Sequence, residues 1–483
     1  MQDVDIQNNI IELVQKNGLK PRHIQRIAES GSARRYYRIH TEEGSIIGAF
    51  NSNTEENEAF FYLCHHFGSK GFHVPKLLGI NADRTCYLQN DFGDDTLFRH
   101  VQRALSTDGW NGPVTELYKM VLHDLADFQI SGHEGLDYPK TYPSSCFDRK
   151  SILDDLNYFK YYFVKPHAEI AFNEFRLDTD FERFTDFILE ARNSFFMHRD
   201  FQSRNIMINN GIPRYIDFQG GRQGPLQYDV VSLLYQVKAQ MPQDLRNKLI
   251  EYYKSIVAQH LDLDTLQFDR YLPAFVYLRL MQVLGAYGFR GLIQKKVHFI
   301  ESIPFALREI ERHAKSHPLQ DLPELVSVIE QLNKLDDRYL NIHHPTNKLT
   351  VTINSFSYRK GYPNDFSGNG GGFVFDCRAL PNPGREERFK TMNGRDWPVI
   401  DFMNEKPQTH VFFNHCKAVV EQSITNYIER HFSNLMVSFG CTGGQHRSVF
   451  FAQSLYEWMK KAHPDICIKL HHIEQKINEK YGE

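Results

Sequence analysis

Residues His198–Met207 read HRDFQSRNIM, and Tyr215–Gly221 follow as YIDFQGG. An aspartate, an asparagine five positions on, and a second aspartate after a strand-like PRYI are what phosphoryl transfer from a nucleotide asks of a protein. That reaction needs positioning and charge compensation more than covalent help. One carboxylate must orient the attacking hydroxyl and take its proton; here that is Asp200. Oxygen ligands must hold Mg²⁺, a hard cation that prefers carboxylate, amide and water oxygens, and Asn205 and Asp217 stand at the ligand positions. The plain alternative is a solvated loop in which Asp200 caps a helix. With His198, two positions before Asp200, four fixed residues at these spacings arise by chance in such a chain with a probability of roughly one per cent or less.

A second chemical stretch, SFGCTGGQHRSVFF, puts a glycine-bearing loop between a strand and a helix. Backbone N–H groups at a helix N-terminus form an anion site, and Arg447 adds a fork for phosphate. The candidate binding residues are Thr442, Gly443, Gly444, Gln445, His446, Arg447 and Ser448. The same letters satisfy Cys-x-x-Gly-x-x-Arg-Ser, in which a low-pKa Cys441 thiolate would attack phosphorus. The loop therefore reads either as a binding cradle or as a nucleophile's cradle.

The elements that must carry these loops follow from pattern. Residues 24–50 read as paired strands around a turn at Ser30–Gly31–Ser32, and NEAFFYLCHHFGSKG as a helix stopped by glycine. CYLQNDFGDDTLF reads as a strand and a crossing segment, and helical periodicity dominates from about Tyr118 to Ser316, broken by the strand–loop–strand region at 195–218. A last helix leads into NIHHPTN, a polar connector, after which strands and glycine loops take over. The expected division is therefore a first domain over 1–342, a linker over 343–348 and a second domain over 349–483.

At 483 residues the chain is long enough for two or three domains. Its 37 Phe, 24 Tyr and 3 Trp supply ample core. A net charge of −3 argues against a whole-chain nucleic-acid footprint. Seven cysteines without a CxxC pair read as reduced thiols. The N-terminus lacks the pattern of a signal peptide, and no apolar run approaches the ~20 residues that span a bilayer, so no membrane association and a cytoplasmic location are expected.

SARRYYRI, FHVPKLLGI, FFMHRDFQSRNIM, YIDFQ and GPLQYDVVSLL together resemble the aminoglycoside-phosphotransferase family, and within it most the AmgK-type sugar kinases of cell-wall recycling. The resemblance covers the first ~340 residues and implies an α+β, protein-kinase-like, two-lobed domain. It also implies ATP as co-substrate, Mg²⁺, and transfer to the anomeric hydroxyl of an N-acetyl amino sugar. By position it makes Asp200 the catalytic base and Asn205 and Asp217 the metal ligands. Gly31, Ser32, Ala33 and Arg34 fall over the nucleotide phosphates, Gln89 and Asp91 beside the adenine, and Asp229 ties down the catalytic loop. One departure stands out: kinases carry a lysine on the third strand that pairs with a helix glutamate, and SIIGAF has none. Glu58 is where the glutamate is expected, and Arg34 or Arg35 is the candidate for the missing charge.

Residues 349–483 resemble the C-terminal domain of RapZ, an RNase adaptor, through GCTGGQHRSV, SFSYRKGYP, FVFDCRALPNPG and GRDWPVIDFM. That implies a smaller α/β domain binding a phosphorylated amino sugar, with RNA a further possible partner. The GxxxxGKS loop of a P-loop half is absent, and Gly384 stands where a histidine is expected. The reading is thus an amino-sugar kinase with a sugar-phosphate-sensing domain. Its alternatives are a kinase of another small alcohol, such as an aminoglycoside, and a non-catalytic nucleotide- and RNA-binding regulator.

Overall fold

The computed structural model describes residues 3–27, 34–107, 109–110, 112–335, 339, 348–363, 365, 372–430 and 432–482. Two compact units emerge: Met1–Gly288 with Ser302–Leu335, and Phe289–Glu301 with Asp336–Glu483. A single cut near residue 345 does not anticipate the grouping of Phe289–Glu301 with the second unit. Of the expected linker over 343–348, only Lys348 falls among the described residues.

The first unit begins with helix Asp3–Lys16, which the sequence patterns above did not single out. A five-stranded antiparallel sheet follows, in the order β1-β2-β3-β5-β4, built from β1 (Pro21–Arg26), β2 (Arg35–Thr41), β3 (Ser45–Phe50), β4 (Leu77–Ile80) and β5 (Cys86–Asn90). The expected pairing in 24–50 is present, with Ile24 opposite Ile39, and a third strand joins it, with Tyr36 opposite Ala49. Ile6, Ile10, Leu13 and Val14 of the first helix bury against Tyr37, Ile39, Phe50 and Leu88 of this sheet. Between β3 and β4 runs helix Thr54–Ser69, whose N-terminus Asn53 caps by accepting from Glu56 N.

The rest of the unit is mainly helical, with two small antiparallel pairs inserted: β6 (Phe195–Met197) with β9 (Arg222–Gly224), and β7 (Ile206–Asn209) with β8 (Ile212–Tyr215). The β7–β8 turn is Asn210–Gly211, at φ 52° and 75°, as a two-residue hairpin turn requires. Helix Thr265–Tyr287 has the composition of a membrane span, but two thirds of its apolar window is buried inside the protein. It packs as a core helix. Its Pro273 carbonyl accepts from His313 Nε2 at 2.9 Å.

The second unit holds a five-stranded sheet in the order β11-β12-β10-β13-β14: β10 (Thr350–Ser357), β11 (Gly372–Asp376), β12 (Asn434–Cys441), β13 (Cys467–His472) and β14 (Ile477–Tyr481). All pairs are parallel except β13–β14. Val351, Ile353, Val437, Phe439, Ile468 and Leu470 form its buried rows, joined by Phe451 and Leu455 of helix Arg447–Ala462.

Burial lowers the His313 imidazole to about 4, helped by the nearby charges of His317, Arg246 and Arg312. The unfolded chain therefore protonates first, near the ordinary histidine value of about 6.5. The contribution of a neutral His313 is full above that value and is lost as pH falls toward 4, at most on the order of 3 kcal/mol. Urea midpoints of the wild type should thus drop more between pH 7 and pH 5 than those of His313→Gln; equal drops would assign the acid sensitivity elsewhere.

Candidate functional site

The loop after β6 is held from below by one carboxylate. Asp229, fully buried in the first turn of helix Leu226–Leu234, accepts from His198 N at 2.7 Å and from Arg199 N at 3.0 Å. Burial pushes this carboxyl up to about 7, against the two backbone bonds and the charges of Arg279 and Arg199. Arg199 sits at φ 76°, a region that costs a non-glycine residue. Its guanidinium is fixed by Tyr228 Oη at 2.5 Å and Asp155 Oδ1 at 2.6 Å. His198 is buried, and burial lowers it to about 4, so the ring is neutral. The tie expected of Asp229 is there, and it spans the strained turn.

Three chemical residues converge because the β7–β8 hairpin folds the chain back on itself. Ile206 pairs with Tyr215, and Ile216 N donates to Asn205 O at 3.1 Å, which carries Asp217 to the side of Asn205. Asn205 Nδ2 lies 2.9 Å from Asp200 O, 3.1 Å from Asp200 Oδ2 and 3.4 Å from Asp217 Oδ2. Asp217 adopts φ 65°, a second strained backbone position in the same site. The three candidates read from the sequence therefore form one cluster.

Electrostatics separates the two acids. Burial acts to raise Asp200, but the Arg279 and Arg204 charges and the Gln202 amide outweigh it and hold the carboxyl below its ordinary range. Arg279 Nη2 reaches Asp200 Oδ1 at 3.2 Å. Asp217 is pushed up, by burial first and then by the Asp200 charge, while Gln219 and Arg34 pull the other way. Gln219 donates to Asp217 Oδ1 at 2.7 Å, and its own Oε1 is buried without a hydrogen-bond partner. Two crowded carboxylates and an orphaned buried oxygen are oxygen donors, and Asn205, which turns its amide nitrogen to both acids, carries an amide oxygen that could join them. That set fits a hard divalent cation such as Mg²⁺.

Of the two arginines expected to supply the missing charge, one turns inward and the other does not. Arg34 is buried, its Nη2 lies 3.1 Å from Glu56 Oε1, and its Nη1 reaches Tyr36 Oη at 3.3 Å. Arg35 instead turns to Asp3 at 3.4 Å. The expectation for Glu58 is corrected: it faces solvent and pairs with Arg84. Helix Thr54–Ser69 starts early enough to place Glu56, not Glu58, on the inner face. Gln89 is buried on β5. Asp91 accepts from Arg38 Nε at 2.6 Å and Nη2 at 3.1 Å, and Arg38 also takes Asp94 at 2.8 Å. The acidic NDFGDD segment is thus partly neutralised from β2. Gly31, Ser32 and Ala33 lie outside the described residues.

Arg279, Glu56, Gln219 and Arg38 went unnoticed in the sequence. Arg279 comes from a helix 79 positions beyond Asp200, and no local motif marks it. A local signal did exist for Glu56: Asn53 followed three residues later by an acid is a helix start.

In the second unit, β10 and β12 are neighbours whose chain connections leave toward opposite sides of the sheet, β10 toward β11 and β12 toward β13. Ligands of open α/β sheets sit beyond the carboxyl ends of such a strand pair. The two strands end side by side at Ser357 and Cys441, and the glycine loop starts there. Ser357 Oγ donates to Thr442 O at 2.8 Å, and Gly444 takes φ 68° with no room for a Cβ beside Ser357 N. Gln445 donates to the Lys390 and Met392 carbonyls, His446 to the Phe389 carbonyl, and Arg447 Nη1 to those of Arg378 and Leu380 at 2.8 and 3.0 Å. Arg447 Nε is buried with no hydrogen-bond partner. Thr442 and Gly443 are exposed. For Cys441, burial would raise the thiol, but Ser448 Oγ at 3.2 Å, the Ser448 and Gly444 amides and the Arg447 charge hold it below its ordinary value.

Residues 23–263 match the family model described as the phosphotransferase enzyme family, and residues 349–476 match the RapZ C-terminal domain. A nucleotide-binding protein of Cupriavidus pinatubonensis is 36% identical over 128 residues, 26% of this chain and 42% of that protein. One of Clostridium acetobutylicum is 36% identical over 149 residues, 31% of this chain and 49% of that protein. The chain therefore spans less than half the length of either relative. Among solved structures, choline kinase from Cryptosporidium parvum has a TM-score of 0.44 at 13% identity, covering 70% of this chain and 100% of that one. Aminoglycoside phosphotransferase APH(4)-Ia has a TM-score of 0.43 at 15% identity, covering 66% and 100%. The expected fold class stands: a kinase-like α+β domain followed by an α/β domain of RapZ C-terminal type.

Asp229→Ala strands two backbone amides, one buried and one partly buried, at a strained turn, so it should cost about 2–4 kcal/mol of stability. Asp229→Asn keeps one acceptor and should cost less. Chemical denaturation of the two variants checks the order, and an alanine variant as stable as the wild type would remove the anchoring role.

Proposed function

From a chain that carries a phosphotransferase-family domain and a RapZ C-terminal domain, we propose an ATP- and Mg²⁺-dependent kinase of a small hydroxylated molecule. The acceptor we infer is an amino sugar, N-acetylated, phosphorylated at its anomeric hydroxyl. The observation that carries the kinase reading is the convergence of Asp200, Asn205 and Asp217 around one amide group. The acceptor O–H gives its proton to Asp200 while the oxygen bonds to the γ-phosphorus and the bond from that phosphorus to the β,γ-bridging oxygen breaks, releasing ADP. Arg279 keeps Asp200 ready to accept by favouring its charged form. Asp217 and Asn205 would hold Mg²⁺, which when bound neutralises phosphate charge. Asp229 keeps the loop in register.

The sugar reading over a polycationic acceptor draws on charge. Arg279 and Arg204 both act on Asp200, and the acidic residues Asp91 and Asp94 are taken by Arg38. Such surroundings favour a neutral or anionic acceptor. For the second domain we infer a sugar-phosphate site at the loop 441–448, at the switch point of the sheet, with Thr442, Gly443 and the loop amides facing the ligand. The expectation that the Arg447 fork meets phosphate is corrected, because Arg447 is buried and spent on the Arg378 and Leu380 carbonyls, as Gln445 and His446 are on those of Lys390, Met392 and Phe389. The alternative is a non-catalytic nucleotide-binding regulator, which the names of the curated relatives favour; RNA as its partner rests on the RapZ resemblance alone. A cytoplasmic setting accords with the small-molecule chemistry.

A coupled ADP-release assay across hexosamines, N-acetylhexosamines, aminoglycosides and choline tests the acceptor. Asp200→Ala should lose transfer by ~10²–10⁴-fold while still binding nucleotide. Near-native turnover in that variant contradicts the base assignment. A 1-O-methyl glycoside of the true sugar should be inert, and a 6-phosphate product would reassign the accepting hydroxyl.

For the second domain, the full chain should bind a hexosamine phosphate by calorimetry, and Cys441→Ser should leave that binding within a few-fold. It should release no inorganic phosphate from an aryl phosphate; release that disappears in Cys441→Ser would make the loop a thiolate phosphatase.

A further inference from the structure

Kinase-like sites need a fixed cation between the nucleotide phosphates and a helix carboxylate. The strand that would carry it here, Ser45–Phe50, contains no basic residue. A guanidinium arrives instead from the residue just before the neighbouring strand: Arg34 precedes β2, in which Tyr36 stands opposite Ala49 of β3. Arg34 is 4% exposed, which is rare for an arginine without a fixed partner. Its partner is Glu56 at 3.1 Å.

Glu56 is itself held on its other oxygen, where Asn51 Nδ2 donates to Oε2 at 2.8 Å. Its backbone N–H bonds to Asn53, whose amide reaches Tyr142 Oη at 2.8 Å. One helical turn on, Phe60 lies under the Arg34 guanidinium at 5.8 Å and stacks on Phe218 at 5.4 Å, the residue after Asp217. Arg34 and Glu56 are both close enough to act on the Asp217 carboxyl. One packed path therefore joins the helix, the arginine and the candidate metal ligand.

We propose that the Arg34–Glu56 ion pair takes the place of the missing strand lysine and its helix glutamate, with Arg34 facing the nucleotide phosphates and Glu56 as the residue that positions it. This rests on the kinase reading above and adds to it the glutamate, the source strand and the change from ammonium to guanidinium. A guanidinium can hold a carboxylate on one edge and present other donors to phosphate, which an ammonium does less selectively. The lysine can therefore be absent without loss of the site.

The test is equilibrium binding of a non-hydrolysable ATP analogue with Mg²⁺ to the full chain, followed by steady-state kinetics. Glu56→Gln keeps size and the Asn51 bond but removes the charge. It should weaken analogue binding and raise the KM for ATP about tenfold or more, with the acceptor KM within twofold. Arg34→Gln should lose more, and Arg34→Lys should recover part of the loss. The double variant Arg34→Gln/Glu56→Gln should be no worse than Arg34→Gln alone, because the two act as a unit. A wild-type analogue affinity in both single glutamine variants overturns the proposal, as does a loss that falls on the acceptor KM instead. If the wild-type chain binds no nucleotide in this domain, the kinase reading fails and the pair's role falls with it.

Discussion

Two crowded, partly buried carboxylates of like charge are the constraint on which the first unit depends. Left alone, Asp200 and Asp217 would each hold a proton more tightly, and neither would serve as base or ligand. The chain counters this from four directions. Asn205 places an amide between them, Arg279 reaches one, Gln219 donates to the other, and Arg34 lends charge from the strand side. The result is uneven: Asp200 is pushed down and Asp217 up. Elements far apart in sequence share one electrostatic problem.

The same site concentrates backbone strain. Arg199 and Asp217 both sit at positive φ although neither is glycine. Such conformations persist where surroundings over-determine them, and here the surroundings are visible. Asp229 takes two amides of the loop, Tyr228 and Asp155 fix the Arg199 side chain, and the Asn210–Gly211 turn sets the hairpin register. In the second unit the logic is different. The loop after β12 owes its form to sheet topology and to side chains that brace it against backbone carbonyls, which leaves its outer surface to Thr442 and Gly443.

Much of this was legible in the sequence because the chemistry is local. Asp200 and Asn205 precede, and Asp217 follows, one short hairpin, so their spacing alone implies their meeting. The loop at 441–448 likewise sits between one strand and one helix, and its residue types announce an anion cradle. Which helix glutamate meets Arg34 is less legible: Glu56 and Glu58 differ only in which face of the helix they occupy, and that depends on where the Asn53 cap starts the helix. The last two strands, β13 and β14, were missed because CIKLHH and INEKY mix polar and apolar residues without clean alternation. They gain their conformation from pairing with β10 and with each other.

What the sequence determined by itself, then, is the meeting of Asp200, Asn205 and Asp217, the glycine loop between a strand and a helix, and the order of the two family domains, since each is written in short-range spacing. The tertiary structure decided the charges around that cluster. Arg279 reaches Asp200 from a distant helix, and Arg34 rather than Arg35 turns inward to meet Glu56. It also decided which loop side chains of the second unit face inward to carbonyls and which face out. These are choices between equivalent residue types, and only packing, through burial and the direction each side chain must take, separates them.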